Sequence, residues 1–245
     1  MHASWNLIVK LHLDRFLSLF LLQSIMGIMG VAMLAWFGWP LAASLPYALT
    51  SGMLHTGYNV FLARSYRSGD LSQVYPIARG TAPLLAMLAT FLVAHDALSW
   101  LAILGIAILI LGIWMVAIDR SAANRLDSVS LYFALATPCF IAAYTIVDGL
   151  GGRASGNASG YTGLVFILDA LFLNGFALWK RGSGIYAQVA PHWKQGILGA
   201  TLSAGAYWIV IWAMTKAPIA AVAALRETSI LFVMAMSHRF LSEKI

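Results

Sequence analysis

Six ionisable side chains stand inside long apolar runs of this sequence: His55, Arg79, Asp148, Asp169, Arg226 and Glu227. Charge is costly where water is scarce, so each is expected to face a partner or an interior cavity. Arg79 and Arg226 rank first. Each follows a proline, Pro76 or Pro218, that can loosen a helix and free backbone groups. Two guanidiniums in one water-filled cavity suit bidentate capture of a carboxylate or phosphate. The alternative is that each arginine meets a carboxylate or backbone carbonyls and serves packing alone. Glu227 lies about 100° around a helix from Arg226 and is expected to face a partner of its own. Glu227 and Asp169 are candidates to carry a proton, with a structural hydrogen bond as the plainer role for Asp169. Ser51, His55 and Asn59, at spacings of four, make a polar stripe bordered by Tyr58. Tyr75 shares a face with Arg79, Tyr144 shares one with Asp148, and Trp208 shares one with Trp212, so these aromatics are candidates to line a pathway. The substrate-binding set is therefore Arg79, Arg226, His55, Tyr75, Tyr144 and Glu227.

The elements that hold these residues follow from composition. Of 245 residues, 61% are hydrophobic and 10% are charged, and the mean hydropathy is +0.82. An ordinary soluble domain carries roughly 25% charged residues, so a soluble domain is excluded, as is a disordered chain. Apolar segments run about 16–37, 42–64, 74–94, 98–118, 130–149, 161–179, 196–215 and 218–240. They lack the alternation of barrel strands and are about twice a barrel strand's length. The expected fold is all-α, a polytopic membrane protein of about eight transmembrane helices. With the loops assigned alternately to two sides, eleven Lys and Arg fall on one side against Arg153 and Lys216 on the other. That asymmetry predicts the first side, with both ends of this chain, to be cytoplasmic. Trp36, Trp39 and Trp100 mark the other interface, and Trp114, Trp179 and Trp193 the cytoplasmic one. The formal charge of +6 therefore reads as loop placement, and no nucleic-acid partner is expected. MHASWNLIVKLHLDR lacks the apolar core of a cleavable signal peptide. GGRASGNASG, at 151–160, reads as a flexible loop carrying the sequon Asn157-Ala158-Ser159. Cys139 reads as a small core residue, while Gly196, Ala200 and Ala204 form a ridge that admits a close helix neighbour.

The chain also repeats itself. YPIARGTAPLLAMLATFLVAHDALS, from Tyr75, aligns with APIAAVAALRETSILFVMAMSHRFLSE, from Ala217, at an offset of 147 that pairs Arg79 with Arg226, Thr81 with Thr228 and Asp96 with Glu243. Two halves, 1–128 and 129–245, are expected as inverted repeats. HASWN at 2–6, GDLSQVYPIARGTAPLL at 69–85, KAPIAAVAALRETSILF at 216–232 and LSEK at 241–244 resemble the EamA-type transporters of the drug/metabolite transporter superfamily. The resemblance covers nearly the whole chain. It implies ten helices in two five-helix repeats around a central cavity, and it implies that most of the first helix and all of the last stand outside this sequence.

Three classes of function compete. A secondary transporter of a small organic metabolite or drug, in a bacterial-type inner membrane, explains the repeat and the in-span charges. No GxxxxGK[ST] loop for ATP is present. An intramembrane enzyme needs a nucleophile with a base or a metal cluster, and no HExxH, GxSxG or paired-histidine spacing supplies one. No enzyme activity, metal or cofactor is expected. A non-transporting membrane subunit, or a transporter fragment, is the remaining alternative. The expected partners are a small-molecule substrate and the lipid bilayer, with a homodimer left open.

Overall fold

The structure is a computed structural model that describes residues 15–68, 81–82, 84–94, 96, 98–121 and 128–229. Among the described residues every regular element is helical. In chain order these are α1 (Arg15–Phe37), α2 (Leu45–Ser68), α3 (Leu84–Ala94, closing in a π turn), α4 (Trp100–Ser121), α5 (Ser128–Ala154), α6 (Ala158–Arg181), α7 (Gly184–Val189), α8 (Trp193–Met214) and α9 (Ile219–Glu227). The stretches Phe16–Phe37, Ala158–Arg181 and Gly184–Met214 are long and apolar enough to cross a membrane, while Leu84–Ala94 and Trp100–Leu109 are shorter apolar helices.

Small residues set which helices meet. The α1–α6 pair is the most extensive contact, and it closes on glycine. A Cβ built on Gly30 would strike the carbonyl oxygen of Gly163, and one on Gly163 would approach the carbonyl of Gly30 at 2.9 Å. Only bare backbone permits that approach. On α2, Gly52 turns to Phe172 of α6 and Gly57 to Phe140 of α5, which seats α2 between them. Gly196, Ala200 and Ala204 of α8 are buried, with Gly196 against Leu21 and Ile25 of α1.

The connections sort to two ends of the bundle. At one end Leu41 N–H bonds the Ser155 carbonyl, Asn157 bonds the carbonyls of Phe37 and Gly38, and Arg153 reaches Asp96, Met214 and Ala217. The loops after α1, α3, α5 and α8 therefore meet one another. At the opposite end Phe16 and Phe20 pack with Ala177, Ile185 and Val189, and the Arg181 guanidinium lies 4.8 Å from the Phe16 ring. The outside of the bundle is apolar, with Ile28, Leu101, Ile108, Leu111, Leu171 and Leu225 all exposed.

Two expectations are corrected here. The stretch 151–160 is ordered: α5 runs through Ala154, a tight turn with Gly156 at φ +62° follows, and Asn157 caps α6 by accepting from Gly160 N–H at 3.0 Å. Gly151 and Gly152 serve packing, since a Cβ on either would meet Tyr161 or Ile211. Cys139 is exposed rather than in the core, because its face of α5 turns away from the neighbouring helices.

Candidate functional site

A cavity of ≈ 90 Å³ lies in the interior of the bundle between α1, α2, α5, α6, α8 and α9. Its polar lining comes one or two residues at a time: Gln23 from α1, His55 and Asn59 from α2, Asp169 from α6, Ser203 and Tyr207 from α8 and Arg226 from α9. Leu19, Leu22, Met26, Tyr58, Tyr144, Val165 and Phe166 complete the wall.

The aromatic side of the wall is tightly arranged. His55 stacks on Tyr144 with ring centroids 4.0 Å apart and planes 22° from parallel, and it meets the Tyr207 ring edge-on at 5.5 Å. His55 Nδ1 lies 3.1 Å from both the hydroxyl and the carbonyl oxygen of Ser51, one turn earlier in α2. Behind this wall Asp148 is wholly buried and accepts hydrogen bonds from Tyr161 Oη at 3.1 Å and Tyr207 Oη at 2.5 Å. Asp148 is thus answered by two phenols, one of which also forms part of the cavity wall.

The other acidic group is answered only in part. Gln23 donates from Nε2 to Asp169 Oδ2 at 2.5 Å. Asp169 Oδ1 and Gln23 Oε1 are both buried and have no hydrogen-bond partner, and Asn59 Nδ2 is in the same condition. Buried polar atoms are normally paired, at a cost of roughly 1–3 kcal/mol for each that is not. Among the described residues six buried side-chain atoms lack a partner; three are threonine hydroxyls away from the cavity, at Thr81, Thr90 and Thr145, and the other three, with the one carboxyl oxygen among them, belong to residues that line it.

Among the sequence-derived candidates, the structure brings His55, Tyr144, Arg226 and Asp169 to this one cavity. Arg79 and Tyr75 lie outside the described residues, as do the 2–6 and 241–244 segments, so the pairing of Arg79 with Arg226 has no geometry here. Glu227 meets Arg226 itself. Its Oε1 lies 3.2 Å from both Nε and Nη2 of Arg226, with both side chains buried. The length of the arginine side chain overcomes the 100° between neighbouring positions. The Arg226 guanidinium also lies 5.9 Å from the centroid of the Tyr144 ring. Trp208 and Trp212 do not line the cavity. Trp208 donates to Ser159 Oγ and packs on Phe37, and Trp212 is exposed. Sequence reasoning passed over Gln23, Tyr207 and Ser203. Gln23 had a signal, as the only amide in an otherwise apolar first segment.

A second polar cluster lies at the end of the bundle where the loops meet. Arg153 donates from Nη1 and Nη2 to the two oxygens of Asp96 at 2.7 and 2.9 Å, from Nε to the Met214 carbonyl at 2.9 Å and from Nη2 to the Ala217 carbonyl at 3.0 Å. Asp96 also accepts from the backbone N–H of Ile219, the first residue of α9, at 2.9 Å. The Arg153 hydrogen bonds hold the Asp96 carboxyl below its ordinary pKa of 3.8, against the opposing effect of partial burial. This clasp caps two helix ends: the carbonyl end of α8, where the Thr215 hydroxyl also bonds the Trp212 carbonyl, and the amide end of α9, whose N-cap Pro218 supplies no side-chain cap.

Among the described residues no group of His, Cys, Asp and Glu is arranged to hold a metal ion. No protein-family model matches the chain, and no curated protein matches it.

Proposed function

We propose that this chain is a secondary transporter of the EamA type, with about eight spans in two inverted repeats, moving a small organic solute across an inner membrane by alternating access. The observation that carries this reading is the cavity: a partly open, mainly apolar space with partly unsatisfied polar groups among its lining residues, between helices whose outward faces are apolar. A bundle built only to pack has no use for Gln23, Asn59 and Asp169 in its interior, because apolar residues of the same size stabilise it more. Polar groups buried at membrane depth mark solute or ion pathways. The meeting of alternate loops at one end agrees with the alternation that the charge distribution predicts, and on that charge distribution we read both ends of this chain as cytoplasmic. The repeat that pairs Arg79 with Arg226 and the four sequence segments quoted above supply the family part of the reading.

The test is flux. Purified full-length chain is reconstituted into liposomes loaded with a mixture of small amines, amino acids, organic acids and nucleosides, and their release is followed by mass spectrometry. Release of at least one solute above protein-free liposomes, reduced in Asp169→Leu, is the expected result. Equal retention of every solute by both kinds of vesicle would leave a non-transporting membrane subunit as the better reading.

A further inference from the structure

The three unpaired atoms in the cavity are not chemically equivalent, and their kinds specify what would satisfy them. Asp169 Oδ1 is a carboxylate oxygen and Gln23 Oε1 an amide oxygen, so both accept. They belong to two side chains already joined by the Gln23–Asp169 hydrogen bond, and both of these residues line the cavity. Asp169 has no basic side chain within ion-pair distance among the described residues, whereas the cavity's arginine already meets Glu227. Two acceptors, one of them anionic when the Asp169 carboxyl is ionised, suit a cation that carries N–H donors. An ammonium group supplies three such donors on one atom. The stacked rings of Tyr144 and His55 and the ring of Tyr207 form the neighbouring wall, and aromatic faces favour a nearby cation. A bare metal ion fits less well, since a hard cation takes about six oxygen ligands and the pair offers two. The remaining free atom, Asn59 Nδ2, is a donor, and a hydroxyl or carbonyl on the same solute would accept from it.

We propose that the cavity binds a small primary amine in its ammonium form, held through its N–H groups by Asp169 Oδ1 and Gln23 Oε1. An oxygen acceptor on the same molecule meets Asn59. The assignment deepens the transporter reading and rests on it for the purpose of the site. It turns the expected recognition around: an ammonium at Asp169 orients the solute, and Arg226, engaged by Glu227, is not the primary anchor.

The experiment is a titration of the detergent-purified full-length chain, in sodium-free buffer, with 3-aminopropan-1-ol, n-propylamine, tetramethylammonium, propionate and sodium, read by calorimetry and by melting temperature. The two primary amines are expected to bind and raise the melting temperature, and 3-aminopropan-1-ol more tightly. Tetramethylammonium has the charge without N–H donors and is expected to bind at least about tenfold more weakly, the worth of one lost hydrogen bond to a charged group. Gln23→Met and Asp169→Asn are each expected to weaken amine binding by at least about tenfold. Gln23→Met, close in shape and neutral, gives the answer if Asp169→Asn does not fold. Tetramethylammonium or sodium binding as well as the amines, binding of propionate alone, or binding of nothing each overturns the ammonium site. Amine binding in detergent without flux in liposomes keeps the site and removes the transporter. Flux of a solute without an amino group, with no amine binding, does the reverse.

Discussion

The clasp at the end of the bundle and the cavity in its interior each begin with a carboxylate, yet they finish differently. Asp96 has both oxygens occupied by an arginine fork, and one also takes the first amide of α9. Asp169, more deeply buried, has one oxygen on an amide side chain and the other on nothing. Asp148, a short way behind the same cavity, is like the clasp, with both oxygens taken by tyrosines. The chain therefore can satisfy an interior carboxylate and does so at Asp148. Under the ammonium-site proposal, incomplete pairing at Asp169 is what distinguishes a group that receives a ligand from Asp148, which has its partners already.

The largest effect expected on this comparison is from Arg153→Ala. It strands Asp96 and two carbonyls and should lower stability by about 2–3 kcal/mol, or about 4–12 °C in Tm for a chain of this size; a change below 1 °C would remove the clasp from the account of the fold. Next is Tyr207→Phe, which removes one of the two phenols that bond Asp148 and should cost about 2 kcal/mol in the same thermal melt. The double variant Gln23→Leu with Asp169→Leu should go the other way. Replacing an incompletely satisfied buried pair with apolar side chains should leave stability unchanged or raise it by about 1 kcal/mol, while removing amine binding. A double variant as unstable as Arg153→Ala would show the pair to be structural. The smallest effect is acid sensitivity. The folded Asp96 carboxyl ionises at lower pH than in the unfolded chain, so the clasp contributes in full above about pH 4 and is lost as pH falls through the folded value. Melting curves taken between pH 5 and pH 3 should show a decline in Tm that Asp96→Asn flattens.

How much of this the sequence carried depends on the scale of the signal. Helix positions were legible because hydropathy is summed over about twenty residues: the segment 16–37 became Arg15–Phe37, and 196–215 became Trp193–Met214. The polar stripe Ser51-His55-Asn59 was legible because 3.6-residue periodicity is local, and all three are buried. What failed were contacts between distant segments. Nothing near Gln23 announces Asp169, which lies 146 positions away. Nothing near Arg153 announces Asp96. The stretch 151–160 looked flexible because glycine and serine are common in loops, whereas here Asn157 caps a helix and the glycines make room for Tyr161 and Ile211. Trp208 drew attention by size, although its neighbour Tyr207 faces the cavity.

The capping of α9 by Asp96 bears on the order in which the chain assembles. Starting a helix is its unfavourable step, because several residues must be fixed before the first hydrogen bond rewards them. For α9 the group that receives that first amide, Asp96, lies 123 positions earlier in the chain. Asp96 and Arg153 are therefore already synthesised when Ile219 emerges, and together they form a template on which the first turn of α9 can nucleate. Arg226, two turns further along the same helix, is one of the side chains that line the cavity. The last of the described helices to be synthesised thus meets, at its first turn, a cap already made from earlier parts of the chain.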